Sequence, residues 1–211
     1  MFPRWFASQE HTDVAVAPDL RLSSAGVSQT RRIAAAVAAH LRPGDVIALT
    51  GELGAGKTCF VQGAAVALGV AERVTSPSFV LRRDYAGRVP VVHLDVYRLD
   101  SLAEVLDLGL EEVLDAGGVT FVEWGDAVRP LLPGGYLEVE LLRDDHAAVP
   151  GGGDGATPGE DDDDGHDERR LLRIRAHGQD WGQRLVALRA DLDRGGGGPG
   201  QRPAGSPGGA S

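Results

Sequence analysis

Gly51-Glu52-Leu53-Gly54-Ala55-Gly56-Lys57-Thr58 fits the pattern G-x-x-x-x-G-K-[ST]. In a loop of this kind successive backbone N–H groups wrap a phosphate chain, the lysine reaches its β and γ oxygens, and the hydroxyl binds Mg²⁺. Lys57 is the only lysine among 21 basic residues, the rest being arginine. A bias that made every other basic position arginine spared the one site that needs a small ammonium on a flexible stem. Outward from the loop, Val46–Thr50 is a short apolar run suited to a buried strand. Residues 59–68 read as a helix that Gly69 closes. Strand, glycine loop and helix in that order predict a phosphate cradle, against the plainer reading of a glycine-rich structural turn.

The rest of the chain is consistent with one core around that unit. With 211 residues and 42% hydrophobic content there is enough apolar material for a sizeable core. No apolar run approaches a membrane span, and the first 19 residues lack the long apolar stretch of a signal peptide. The single cysteine, Cys59, excludes an intramolecular disulfide and suits a reducing, cytoplasmic setting. Near a helix start it reads as a small buried residue rather than as a thiol of lowered pKa. The net charge of −10 is local: residues 144–168 hold ten acids and no Lys or Arg, leaving 21 acids against 21 bases elsewhere. No basic stripe points to direct nucleic-acid binding.

Along the chain, residues 1–20 lack periodicity and read as a disordered leader. Ser28 is placed to cap a helix in which Ile33, Val37 and Leu41 share one face, stopped by Pro43-Gly44. Residues 79–83 and 89–95 flank Ala86-Gly87 as a β-hairpin or a close strand pair. Ser101-Leu102-Ala103-Glu104 is a capping-box pattern for a short helix that breaks near Gly109. Strands are expected at 119–123, 136–142 and 171–176, and a last helix at 181–193. The Gly/Asp segment 144–168 reads as a flexible insert, and residues 195–211 as a disordered Gly/Pro tail. The expected fold class is α/β: a P-loop NTPase-like central sheet, mixed parallel and antiparallel, with flanking helices, over residues 21–194.

A phosphate cradle needs an acid for Mg²⁺ or its water and a group that senses or attacks the γ-phosphate. Two apolar strands end in acids, Val91-Val92-His93-Leu94-Asp95 and Val119-Thr120-Phe121-Val122-Glu123. Either carboxylate would reach the C-terminal edge of a sheet, where α/β proteins bind ligands. The bland alternative is an acid that is solvated or caps a turn. The hydroxyl-rich stretch Thr75-Ser76-Pro77-Ser78 is either a switch-like loop or a plain turn. His93 reads as a strand histidine before a base. Trp124 either stacks on an aromatic ring or simply packs.

Together these motifs resemble the TsaE family, the ATPases of bacterial tRNA threonylcarbamoyladenosine biosynthesis. The likeness rests on residues 51–58, on Val74-Thr75-Ser76-Pro77-Ser78-Phe79, on His93-Leu94-Asp95-Val96-Tyr97-Arg98-Leu99 and on Glu123-Trp124. It covers about residues 22–142 and resumes weakly over 169–177. The resemblance implies that ATP and Mg²⁺ are the cofactors and that residues 51–58 cradle the phosphates, with Lys57 holding them. By the same likeness Thr58 and Glu123 hold Mg²⁺, and Asp95 lies near the γ-phosphate and is needed for hydrolysis. Ser76 and Ser78 form the switch-like loop, Trp124 sits near the nucleotide, and Thr30 and Arg170 approach it. The implied partners are TsaD and TsaB homologues, which transfer threonylcarbamoyl to the adenosine beside the anticodon, so that tRNA is reached only through the complex. Cys59 and Ser78 each stand where the family usually has Thr. A small-molecule kinase on the same cradle, or a nucleotide-dependent interaction protein, are the competing readings, although no lid-length insert rich in helix is apparent.

Overall fold

The computed structural model describes residues 19–99, 101–107, 109–143 and 169–195. Seven strands form one mixed sheet: β1 (Asp19–Ser24), β2 (Val46–Thr50), β3 (Arg82–Tyr85), β4 (Val91–Asp95), β5 (Val119–Glu123), β6 (Tyr136–Arg143) and β7 (Arg170–His177). Their spatial order is β1-β7-β6-β2-β5-β4-β3. The centre is parallel, with β2 between β6 and β5 and with β4 beyond β5. Both flanks are antiparallel, β3 on β4 at one edge and β7 on β6, then β1, at the other. The helices are α1 (Val27–Ala38), α2 (Lys57–Ala67), α3 (Leu102–Asp107), α4 (Leu110–Asp115) and α5 (Gln179–Gly195).

Every residue of β2, β4 and β5 is buried, the signature of parallel strands covered on both faces. Alternation then divides each strand between two cores. Ile47, Leu49, Phe121, Leu137 and Val139 pack with Val37 of α1, Phe60 and Ala64 of α2, and Leu185 and Leu188 of α5. Val46, Ala48, Val92, Leu94 and Val122 pack with Val105, Leu110 and Val113 of α3 and α4 on the other face. Helices α1 and α2 touch closely at Gly63, where an added Cβ would stand 2.5 Å from the Arg31 backbone. Arg184 anchors α5: it is buried, donates to both oxygens of Asp45 and to the His40 carbonyl, and lies 3.7 Å above the Trp181 ring.

The structure departs from the sequence expectations at element ends. Strand β1 begins at Asp19, inside the stretch read as a leader, because Leu20 and Ser24 are buried once β7 supplies a partner 150 residues away in the chain. Helix α1 starts at Val27 after Gly26, without a side-chain cap, so Ser28 lies in its first turn and does not cap it. The hairpin begins at Arg82; Phe79 and Val80 are exposed in a turn whose exit residue, Leu81, takes φ 65°. Residue Ser101 does engage Glu104 through both its backbone N–H and its carboxylate. A separate helix, α4, follows Gly109 where only a break was expected. The expected leader up to residue 18, the acidic insert at 144–168 and the tail from 196 lie outside the described residues.

Candidate functional site

Strand β2 ends at Thr50, the chain turns through the glycine loop, and α2 begins at Lys57. Gly51 sits at φ 125°, and a Cβ there would be 2.1 Å from the Leu141 carbonyl oxygen, so β6 leaves room only for glycine. The opening N–H groups of α2 have no helical partner and face the loop, as an anion site requires. Lys57 is 4% exposed. Its Nζ donates to the carbonyls of Gly51 and Glu52, 2.8 Å each, and lies 3.9 Å from the centre of the Trp124 ring. An ammonium has three donors, which leaves one directed elsewhere. Burial pushes the Lys57 pKa below the ordinary lysine value, against the opposing pull of the Glu123, Asp95 and Asp126 carboxylates.

Strands β4 and β5 run parallel and end together, with Asp95 and Glu123 as register partners. That pairing delivers both carboxylates to the sheet edge from which the loop departs. Glu123 Oε1 accepts from Thr58 Oγ1 at 2.7 Å and pairs with His93 Nε2 at 2.9 Å. Asp95 Oδ2 accepts from Ser78 Oγ at 2.5 Å and from Ser76 Oγ at 3.2 Å, while Oδ1 accepts from the Tyr97 N–H at 3.1 Å. The two serine hydroxyls are 2.5 Å apart. Loop 75–78 is thereby tied to the end of β4 through a single carboxylate. The groups enclose a cavity of about 300 Å³. Trp124 borders it at φ 62°, a backbone state that a large residue adopts rarely, and its ring meets Tyr97 at 4.8 Å.

Of the residues singled out from sequence, Leu53, Gly54, Gly56, Lys57, Thr58, Ser76, Ser78, Asp95, Glu123 and Trp124 all line this cavity. Gly51 and Glu52 contribute carbonyls to Lys57 instead, and Ala55 is buried beneath the loop. Arg170 stands behind the loop, its Nε 3.2 Å from where a Cβ of Gly56 would be. Thr30 is not part of the lining: it is fully buried, and its hydroxyl engages Ser24 Oγ at 2.8 Å and the Gly26 carbonyl at 3.2 Å. The Cys59 thiol is half-buried, and burial pushes its pKa up despite Arg31 and Arg170, which fits a packing residue. Three residues to which the sequence reading assigned no binding role contribute to the site. Tyr97 lines the cavity, Arg143 reaches the Leu53 carbonyl at 3.4 Å, and His93 is a partner of Glu123. The position of Tyr97 two residues after a strand-end Asp was a usable signal, since Asp commonly accepts from that N–H.

The donor set fits Mg²⁺. A hydroxyl and a carboxylate are hard oxygen ligands, and Mg²⁺ at a nucleotide keeps waters and phosphate oxygens as its other ligands. Among the described residues no group of three or more His, Cys, Asp or Glu forms an all-protein cage. Nor is any described helix long and apolar enough to cross a membrane.

Comparison with known proteins gives a consistent result. The family model described as "Threonylcarbamoyl adenosine biosynthesis protein TsaE" matches residues 24–149. A protein of Treponema pallidum is 44% identical over 122 residues, which is 58% of this chain and 90% of the relative. One from Bacillus subtilis is 40% identical over 125 residues, 59% of this chain and 78% of the relative. Both carry the name tRNA threonylcarbamoyladenosine biosynthesis protein TsaE. The crystal structure of Bacillus subtilis YdiB superposes with a TM-score of 0.64 and 30% identity, over 83% of this chain and 97% of that one. With its glycine loop, paired strand-end acids and mixed sheet, this chain belongs to the TsaE family.

Proposed function

We propose that the chain is a Mg²⁺-dependent ATPase of tRNA threonylcarbamoyladenosine biosynthesis, acting in the cytoplasm with TsaD and TsaB homologues. In this reading it supports threonylcarbamoyl transfer to the adenosine beside the anticodon and meets tRNA only through that complex. The pathway follows from the family and from the shared name of the relatives. The observation that carries the ATPase reading is the Thr58–Glu123 hydrogen bond of 2.7 Å at the foot of the glycine loop, with Asp95 one strand away.

In that arrangement the N–H groups of Gly54 and of residues 56–58 and the Lys57 ammonium would bind the ATP phosphates, and Thr58 and Glu123 would hold Mg²⁺. When bound, Mg²⁺ neutralises charge that develops on the β and γ oxygens during phosphoryl transfer. Lys57 adds a point charge that its two carbonyl contacts and the Trp124 face hold in place. Asp95 is the residue to orient an attacking water. Its Oδ2 accepts from Ser76 and Ser78, so a movement of loop 75–78 would free that oxygen for a water proton. That link also offers a partner protein a handle: whatever orders the loop sets the partners of the carboxylate. Arg170 would support the loop from behind at Gly56, and Thr30 would act only through its hold on the turn before α1.

The test is γ-labelled ATP supplied to the chain alone, with TsaD and TsaB homologues, and with both plus tRNA. Slow release of free phosphate that rises on the order of 10³-fold with partners is expected, as for P-loop enzymes completed in trans. Label appearing on a small acceptor would make the chain a kinase. Nucleotide binding without any turnover would make it a nucleotide-dependent interaction protein.

A further inference from the structure

His93 is a buried polar group to which the chemistry above gives no role. It is completely buried in the middle of β4, and its Nε2 lies 2.9 Å from Glu123 Oε1. Its other ring nitrogen, Nδ1, is buried with no hydrogen-bond partner among the described residues. A fold gains nothing from such an atom, since an unpaired buried polar group carries a desolvation cost that a hydrocarbon of the same size avoids. The imidazole is therefore a poor choice for packing alone, and its one bond is directed at the acid of the site.

The same oxygen of Glu123, Oε1, also accepts from Thr58 Oγ1 at 2.7 Å. Two donors from two different elements converge on one carboxylate oxygen, one from the start of α2 and one from the strand beside β5. Oε2 has no hydrogen-bond partner among the described residues, and Glu123 borders the cavity. A glutamate side chain left to itself samples several rotamers, and fixing it costs entropy at the moment a ligand binds. A fully buried ring on a strand paired on both sides has little freedom to turn, so its N–H sets the carboxylate plane beforehand. The Thr58 contact alone cannot do this, because that hydroxyl is itself a proposed cation ligand and rotates about its own Cβ.

We propose that His93 is a positioning residue, holding Glu123 through Oε1 so that Oε2 is presented to a divalent cation at the nucleotide. The inference rests on the Mg²⁺-nucleotide reading of this site and specifies what prepares it. Groups that orient a ligand in this way are typically worth tenfold to a hundredfold in metal affinity.

The experiment compares the full chain with His93→Leu, His93→Gln and His93→Asn, using a non-hydrolysable ATP analogue. Binding is measured in EDTA and across a Mg²⁺ titration, and thermal unfolding is recorded without nucleotide. Leucine fills the space without a donor; the glutamine amide nitrogen reaches the place of Nε2; the asparagine amide is too short. His93→Leu and His93→Asn should raise the Mg²⁺ needed for half-maximal binding by about tenfold or more. Binding in EDTA should stay within about twofold of the parent chain, because the interaction acts only through the metal ligand. His93→Gln should return the Mg²⁺ requirement to within about threefold of the parent. The melting temperature of His93→Leu should fall by no more than about 4 °C. If His93→Leu does not fold, the Gln and Asn pair carries the same comparison. Unchanged Mg²⁺ dependence in the Leu or Asn variants overturns the proposal. So does equal loss with and without Mg²⁺, or a Gln variant as impaired as Asn, since either describes a merely structural histidine. A parent chain that binds the analogue no better with Mg²⁺, or a Lys57→Ala variant that binds as well as the parent, instead fails the nucleotide reading, and the role of His93 falls with it.

Discussion

Thr58 Oγ1 donates to Glu123 Oε1 across 2.7 Å, although the two residues are 65 positions apart in the chain. One lies in the first turn of the helix after the glycine loop and the other is the last residue of β5, and the parallel pairing of β2 with β5 brings them together. Asp95, the register partner of Glu123, is bonded instead to the serines of loop 75–78. The two acids therefore have separate partners, and under the proposed roles their variants should fail separately.

Glu123→Ala should weaken Mg²⁺-dependent nucleotide binding by about tenfold or more while leaving Mg²⁺-free binding near the parent value. Asp95→Ala should leave binding largely intact and lower hydrolysis by about 10²-fold, the usual scale for a group acting on the proton of the nucleophile. Titrating nucleotide against both variants, with and without Mg²⁺, decides the assignment; the reverse pattern would exchange the two roles.

Lys57→Arg should be nearly as damaging as Lys57→Ala. The ammonium is buried, with carbonyl oxygens 2.8 Å away on two sides and the Trp124 ring 3.9 Å away. A planar guanidinium is too wide for that enclosure and points its charge elsewhere. Each lost charge-assisted hydrogen bond to phosphate is worth about 2 kcal/mol, so both variants should bind ATP on the order of 30-fold more weakly or worse. An arginine variant that keeps most of its affinity would refute the reading of the solitary lysine.

Deletion of residues 148–166, with the ends joined by a short glycine-rich turn, should preserve both fold and ATPase activity. Strands β6 and β7 stay paired up to Arg143 and Arg170, so the hairpin is registered before the insert begins. Shortening the connection changes loop-closure entropy by no more than about 1 kcal/mol. A melting temperature lowered by 10 °C or more, or lost capture of TsaD and TsaB homologues, would give the insert a structural or interface role.

Glu138 carries a pH dependence away from the cavity. The His177 hydrogen bond first, then Arg129 and Arg175, hold its carboxyl below the ordinary value of 4.5 in spite of burial. The folded pKa lies below the unfolded one, so the stabilisation is complete above about pH 4.5 and is lost as pH falls through the lower, folded value. Glu138→Gln should cost about 2 kcal/mol at pH 7, and the gap between variant and parent should close under acid. Urea melts at pH 7 and at pH 3 test this, and a gap that persists unchanged in acid would contradict it.

Much of the site was legible because its chemistry is local. The glycine spacing around Lys57, the hydroxyl that follows it and the acids that end two apolar runs are each written in a few consecutive residues. The α/β class was legible for the same reason, since strands buried on both faces must be apolar throughout. What tertiary structure alone decided depends on partners far away in sequence. Asp19–Ser24 becomes a strand only because β7 offers it an edge. Thr30, which the family resemblance placed near the nucleotide, spends its hydroxyl on the turn before α1. His93 looks like any strand histidine until β4 lies beside β5, and only then does its ring meet Glu123. Short-range patterns specify the backbone and the kinds of groups present, whereas which group touches which is set by strand order, and strand order is a property of the packed sheet.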